Sequence, residues 1–448
     1  MTRASMRMLV LVVGVLTLAL ALAACGSAAP PTAAPAPAQK AAEAPTAAKA
    51  AEPAKATEAP KAAEAPKATE APAAAKSAPA SGGTTPGVTD TEIVIGSWGP
   101  QDGPAGAYGV IDRTIAAYFK KVNDDGGING RKIRFVYEND SYQPAKTTAA
   151  VKKLVEEDKV FALVGGLGTA QNMAVMDYLV QNKVPHLAPS TGSGLMSKPV
   201  KPNVFQVQLN YTNEATLLTQ YALDKLNAKK IAVFYQNDAF GKEGLDAVNA
   251  ELKKRGLAEA SGVSYEPSDT NFSSQALKLQ STGADTVIIY AVPKPGASII
   301  AEMDKIGFKP NLLASSVIND PALFQLAGPG IEGLLLLAWL PAFDDTSNPK
   351  IVEYQDFMKK YAPNEQIGGF SQTGYTYGQI AAEALKRAGK DLTREGFLKA
   401  LETMQDFKGS LVPNLSYSGT DHSGTKSAYF QQAKGGKFVT ISDFMTPK

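Results

Sequence analysis

Residues 160–173, VFALVGGLGTAQNM, decide the fold. A short apolar run, VFALV, meets three glycines (Gly165, Gly166 and Gly168), and helix-forming residues begin at Thr169. An apolar run this short, bounded by glycine, reads as a buried strand, and the glycines after it read as a strand-to-helix turn. Such a turn brings the backbone close to whatever lies above it and leaves helix N–H groups free to receive a carboxylate or phosphate. The Thr169 hydroxyl adds a further partner there. A compact packing corner is the other reading of the same residues. The stretch lacks the G-K-S/T ending of a Walker loop.

The same alternation extends in both directions. Upstream, EIVIGSW (92–98) reads as a strand, VIDRTIAAYFKKV (110–122) as a helix, IRFVYEND (133–140) as a strand and TTAAVKKLVEEDK (147–159) as a helix. Downstream, MAVMDYLVQNK (173–183) and VPHLAPS (184–190) continue the pattern, and FQVQLN (205–210) forms a crossing segment. The alternation resumes with helix 214–227, strand 229–238, helix 241–256, strand 284–292, helix 296–307 and strand 308–316. Strands alternating with helices imply parallel sheets with helices on both faces. Two such groups fit the length better than one long sheet. IEGLLLLAWLP (331–341) suits a central strand or a buried helix. Segments 355–363, 377–389 and 393–404 read as helices, and Phe430 with KFVTISDF (437–444) supplies late strands.

Nothing before Thr91 has the periodicity of a core. Arg3 and Arg7 precede the apolar run 8–25, which has the basic flank and hydrophobic centre of an export signal. Its end, Leu22-Ala23-Ala24-Cys25, resembles the lipobox of bacterial lipoproteins, which implies cleavage before Cys25 and its acylation. An uncleaved membrane anchor is the alternative, because the run approaches the roughly 20 residues that span a bilayer. Both readings place the rest of the chain outside the cytoplasm. Residues 25–90 then form a tether. Its Ala- and Pro-rich repeat TEAPKAAEAPKATEAP (57–72) interrupts helix and favours a semi-rigid spacer.

Composition narrows the chemistry. The 448 residues carry 45 Lys+Arg and 43 Asp+Glu. Loss of Arg3 and Arg7 with the signal leaves 45 − 2 = 43 basic side chains against 43 acidic ones, which disfavours a basic nucleic-acid binder. One cysteine excludes an internal disulfide. His186, His422 and Cys25 lie too far apart in sequence for a zinc site, no EF-hand spacing occurs, and no cofactor is expected. No G-x-S-x-G elbow is present. His186 reads as a packing or hydrogen-bonding residue at a strand end and His422 as a loop residue. An enzyme is therefore not expected.

Two more loops offer binding groups. SWGPQDGPAGAYG (97–109) is rich in turn residues and carries Trp98 and Tyr108, whose rings suit the apolar part of a ligand unless they pack internally. HLAPSTGSG (186–194) presents the hydroxyls of Ser190, Thr191 and Ser193. With Gly168 and Thr169 they can surround one carboxylate, or else cap the next helix.

In their order, EIVIG, GPAGAYG, NDDGGINGRKI, LVGGLGTAQN, VPHLAPSTG and IAVFYQNDAFGKEG resemble the branched-chain amino-acid-binding family of ABC transport receptors, the type 1 periplasmic-type binding proteins. The resemblance runs from about Thr91 to the C terminus. It implies two Rossmann-like lobes joined by three crossings, with residues 91–209 and 335–412 in lobe 1 and residues 210–334 and 413–448 in lobe 2. It assigns Gly168, Thr169, Thr191 and Ser193 to a ligand carboxylate, gives Trp98 and Tyr108 to a closing loop, and puts Tyr211, Phe240 and Tyr290 on ligand-facing loops of the second lobe. It also implies a monomer that delivers a small solute to permease subunits. A tethered sensor for a signalling membrane protein would use the same recognition unit.

One departure from the family pattern bears on the solute. Where these receptors commonly place an acidic partner for the ligand ammonium, this chain reads Ser315-Ser316-Val317-Ile318, with Asp320 beyond. A buried ammonium without a counter-charge is costly. Amides and aromatic acids therefore stand beside branched-chain amino acids as expected ligands.

Overall fold

The computed structural model describes residues 85–447; the expected signal segment, Cys25 and nearly all of the tether lie outside them. Its first sheet is wholly parallel, as the alternation predicts. In chain order it comprises β1 (Glu92–Gly99), α1 (Val110–Asp124), β2 (Lys132–Asn139), α2 (Pro144–Lys152), β3 (Ala162–Val164), α3 (Thr169–Gln181), β4 (His186–Leu187) and β5 (Val204–Phe205), strands with their covering helices. The strands lie side by side as β2-β1-β3-β4-β5, with Ile95 opposite Ala162 and Leu163 opposite His186. β1 and β3 are buried on both faces, which is why they read as unbroken apolar runs rather than alternating ones.

The second lobe repeats the plan: α4 (Tyr211–Asp224), β6 (Ile231–Gln236), α5 (Ala239–Lys254), β7 (Ser261–Tyr265), α6 (Ser273–Ser281), β8 (Thr286–Tyr290), α7 (Pro293–Lys305), β9 (Asn311–Ala314), α8 (Ala322–Ala327) and β10 (Leu335–Ala338). The chain then returns through α9 (Pro349–Tyr361), α10 (Gly369–Ala388) and α11 (Arg394–Glu402), and ends with β11 (Tyr429–Lys434) and β12 (Lys437–Thr440). The sheet order is β12-β11-β10-β9-β8-β6-β7, parallel from β10 to β7 and antiparallel at β11 and β12. IEGLLLLAWLP thus resolves as a strand, and its four central residues are all buried.

α10 closes the first lobe. It packs along α1, and Gly378 permits the contact, since a Cβ there would lie 2.6 Å from the Tyr118 ring. α11 is tied to the same lobe by Arg394, which donates to the carbonyl oxygens of Phe161 and Val160 at 2.9 Å each.

The three crossings differ in two places from the expected boundaries. β10 is hydrogen-bonded to β9 and β11, so residues 335–338 belong to the second sheet and the crossing comes after Ala338. Residues 413–426 lie against the first lobe: Gln206 N–H donates to the His422 carbonyl oxygen at 2.9 Å, and the His422 ring stacks on Phe205 at 3.8 Å. The last crossing therefore precedes Tyr429. The first shift arises because an apolar run does not say which sheet it joins, and the second because a polar segment carries no mark of the lobe it lies against; backbone contacts decide both.

Candidate functional site

A cavity lined by residues of both lobes lies between them. It opens above the carboxyl ends of the strands, near the point in each sheet where strand order reverses: β1 and β3 in the first, β6 and β8 in the second. Loops leaving these strands must diverge there, which leaves a crevice between them.

From the first lobe come Tyr108, Tyr142, Leu167, Gly168, Thr169 and Ser190, together with Phe370, Gln372 and Thr373 at the start of α10. From the second come Tyr211, Phe240, Val292, Ser316, Val317 and Asn319. The crossing after β10 adds Trp339, Leu340 and Phe343. Aromatic rings therefore dominate the wall: Tyr108 and Phe370 pack with centroids 4.7 Å apart, and Tyr211 and Phe240 at 5.0 Å. Among the described residues, no Asp, Glu, Lys, Arg or His lines it.

Six residues singled out in the sequence meet at this cavity: Tyr108, Gly168, Thr169, Ser190, Tyr211 and Phe240. Gly168 precedes α3 with φ +101°, and a Cβ there would fall 2.1 Å from Gln171 Oε1, so only glycine lets the turn approach this closely. No side chain caps α3, which leaves its first amides available beside the Thr169 hydroxyl. Burial raises the phenols of Tyr108 and Tyr211 above the ordinary range, so both stay protonated donors.

The other four stand behind the wall. Thr191 is fully buried, with its Oγ1 2.7 Å from Thr169 Oγ1 and accepting the Ser193 N–H at 3.1 Å. Ser193 accepts the Leu195 N–H at 3.3 Å and so caps a short 3-10 turn. Tyr290 donates to the Tyr211 carbonyl oxygen at 3.2 Å and supports that residue from below. Trp98 lies wholly inside the first lobe, over Gly166 and 5.1 Å from the His186 ring. It does not reach the loop tip, because β1 runs through to Gly99 and points residue 98 into the core. Burial lowers the His186 pKa to about 4, so the ring is neutral, and its Nε2 meets the Gly165 carbonyl oxygen at 2.8 Å.

Sequence reasoning missed Tyr142, Gln208, Trp339, Phe343, Phe370 and Gln372. Most stand at crossings or at the start of α10, outside any glycine-rich loop. Asp320, the acid nearest the departure from the family pattern, does not line the cavity. Its carboxylate accepts the Ala322 N–H at 3.0 Å and the Phe370 N–H at 3.2 Å, which holds α10 to the second lobe.

The periplasmic binding protein family model matches residues 92–437, which is most of the chain and both lobes. The chain belongs to this family. Within it, the branched-chain amino-acid-binding proteins are its relatives. A Leu/Ile/Val-binding protein homolog 3 of Brucella melitensis is 26% identical over 78% of this chain and 94% of its own. Among solved structures, a substrate-binding periplasmic protein of Ralstonia solanacearum superposes with TM-score 0.72 at 27% identity, covering 78% of this chain and all of its own. A branched chain amino acid ABC transporter protein of Thermus thermophilus with bound valine superposes with TM-score 0.74 at 20% identity, over 80% and 97% of the two chains.

This periplasmic binding protein is therefore a bilobed solute receptor of the extracytoplasmic space and not an enzyme. No helix among the described residues is long and apolar enough to cross a membrane. The lobes are drawn together in the structure: Tyr142 Oη accepts from Gln236 Nε2 at 3.2 Å, and Glu243 Oε1 accepts the Gly194 N–H at 2.8 Å.

Proposed function

We propose that this binding protein is a lipid-anchored, monomeric receptor that captures a small carboxylate-bearing solute and hands it to the permease subunits of an ABC importer. The observation that carries the reading is Thr169, which opens onto the cavity at the uncapped N-terminus of α3 with its hydroxyl against that of Thr191. Neutral donors and helix amides at one spot favour an anion without supplying a counter-ion. When Thr191 donates, the Thr169 hydrogen is free to be donated into the cavity. The ring-lined remainder of the wall suits an apolar body.

Anchoring rests on Leu22–Cys25, outside the described residues. Acylated Cys25 would hold the tether to the membrane while the lobes open and close. A Cys25→Ser chain recovered in the soluble fraction would support this; one still held in membranes would reject it.

Capture is tested by unfolding and refolding the purified protein to strip bound solute, then measuring thermal shifts with amino acids, amides, short-chain acids and aromatic acids. A ligand that binds the native state adds RT ln(1 + [L]/Kd) to stability. Shifts from acids and none from their amides are expected; the reverse pattern would overturn carboxylate recognition.

A further inference from the structure

We infer that the solute carries no ammonium group: the cavity takes a monocarboxylate with an aromatic or branched apolar body and discriminates against the amino acid of the same skeleton. This rests on the carboxylate-capture reading above and narrows it.

Two carboxylates stand directly behind lining residues of the second lobe and the start of α10, and both are already committed. Glu214 lies buried on α4, and both its oxygens face Ser316, accepting from the backbone N–H at 3.2 Å and from the Ser316 hydroxyl. Ser316 lines the cavity and Glu214 does not, so a cation there would meet a hydroxyl oxygen whose hydrogen points away. Asp320 is turned to the start of α10 by its two backbone donors. Both acids are thus screened from the solute by the groups they hold.

What the second lobe offers instead is neutral. Asn319 Nδ2 donates to Gln431 Oε1 at 2.9 Å and to the Leu337 carbonyl oxygen at 3.4 Å, which fixes the amide orientation. Its Oδ1 is buried without a partner. One carboxamide oxygen suits a neutral donor, whereas a primary ammonium brings three N–H groups and a full charge into a wall without a carboxylate. Ring faces attract cations, but they do not replace the hydrogen bonds that a desolvated ammonium loses. A carboxylate is treated differently, because it meets Thr169 and the amides of α3 at the opposite lobe. The asymmetry between the poles, helix amides and a hydroxyl at one and only neutral hydroxyl and carboxamide oxygens at the other, is what selects an acid lacking the amine.

The test is calorimetry on the stripped protein with matched pairs: L-leucine against 4-methylpentanoate, and L-phenylalanine against 3-phenylpropanoate, with 4-methylpentanamide as a neutral control. Tighter binding of the desamino acid by at least tenfold in one or both pairs is expected. Equal or tighter binding of the amino acids would overturn the inference while leaving carboxylate capture intact. Binding of the amide alone would overturn the capture reading itself, and no binding by any of the five would overturn both.

Discussion

The phenolic oxygen of Tyr108, on the first lobe, donates to the carbonyl oxygen of Val317, on the second, at 2.7 Å. Both residues line the cavity, so the bond ties the two lobes together at its wall. Because Tyr108 also packs on Phe370, the ring is held in place and the hydroxyl has one direction in which to point. Closure and recognition are thereby joined in one side chain: the bond forms only when the lobes approach, and a closed state that binds more tightly is what a ligand can favour.

Tyr108→Phe removes this bond and keeps the ring. A neutral hydrogen bond contributes about 1 kcal/mol net, so affinity for a bound acid should fall about fivefold. Calorimetry gives the affinity, and small-angle scattering should show a larger open fraction at subsaturating ligand. Unchanged affinity would mean that the bond accompanies closure without favouring it.

Thr169 and Thr191 separate direct from indirect support. Thr169→Ala removes the hydroxyl at the cavity and, since bonds to charged partners contribute about 1.5–3 kcal/mol, should weaken acids tenfold or more. Thr191→Val keeps the volume but deletes the group behind, so the loss should be smaller and accompanied by a lower unfolding midpoint. Equal losses in both variants would place Thr191 on the ligand itself.

Trp98 should behave as core. The indole fills the space over Gly166, where a Cβ would lie 2.5 Å from its ring. Trp98→Ala should therefore cost about 3–5 kcal/mol of stability, read by urea denaturation. The rank order of acids bound by the folded fraction should stay as it was. A changed order with intact stability would return Trp98 to the cavity wall.

The contrast between Trp98 and Tyr108 shows how far the sequence reaches. Both rings belong to one turn-rich segment, and composition treats them alike; the strand's extension to Gly99 separates them. The βα alternation was legible because the central strands, such as β1, β3 and β8, are compact apolar runs, and helices such as α1 and α7 carry a clear period between them. Gly168 and Thr169 were legible because a close backbone approach demands glycine at a strand end. Phe370 and Trp339 were not, since an aromatic residue at a helix start or a crossing carries no local mark of the cavity it will face. Likewise β10 was legible as a strand but not as a member of the second sheet, because pairing between residues about a hundred positions apart, such as Leu337 with Phe430, leaves no local pattern.

Acidity should stabilise this protein across the mildly acid range. Burial raises the carboxyl of Asp112 to about 7 and that of Glu214 to about 7, against hydrogen bonds from Ser97, Gln101 and Ser316 that oppose the shift. Asp140 adds to the rise at Asp112 and Arg113 works against it. Both groups hold a proton in the folded state that they release when unfolded, so between about pH 4 and 7 the native state binds more protons. Their stabilisation is present below the ordinary carboxylate range and is lost as pH rises through about 7. Buried His186, lowered to about 4, acts in the opposite sense up to its ordinary value near 6.5, and offsets one of the two acids there. Unfolding free energy should therefore fall from pH 5 to pH 8, most cleanly above pH 6.5. Asp112→Asn, which keeps the shape and drops the charge, should flatten the slope by up to about 1.4 kcal/mol per pH unit. Urea titrations at half-unit intervals give the slope directly, and stability that climbs toward pH 8 in the unaltered chain would show that these carboxyls ionise freely in the folded state.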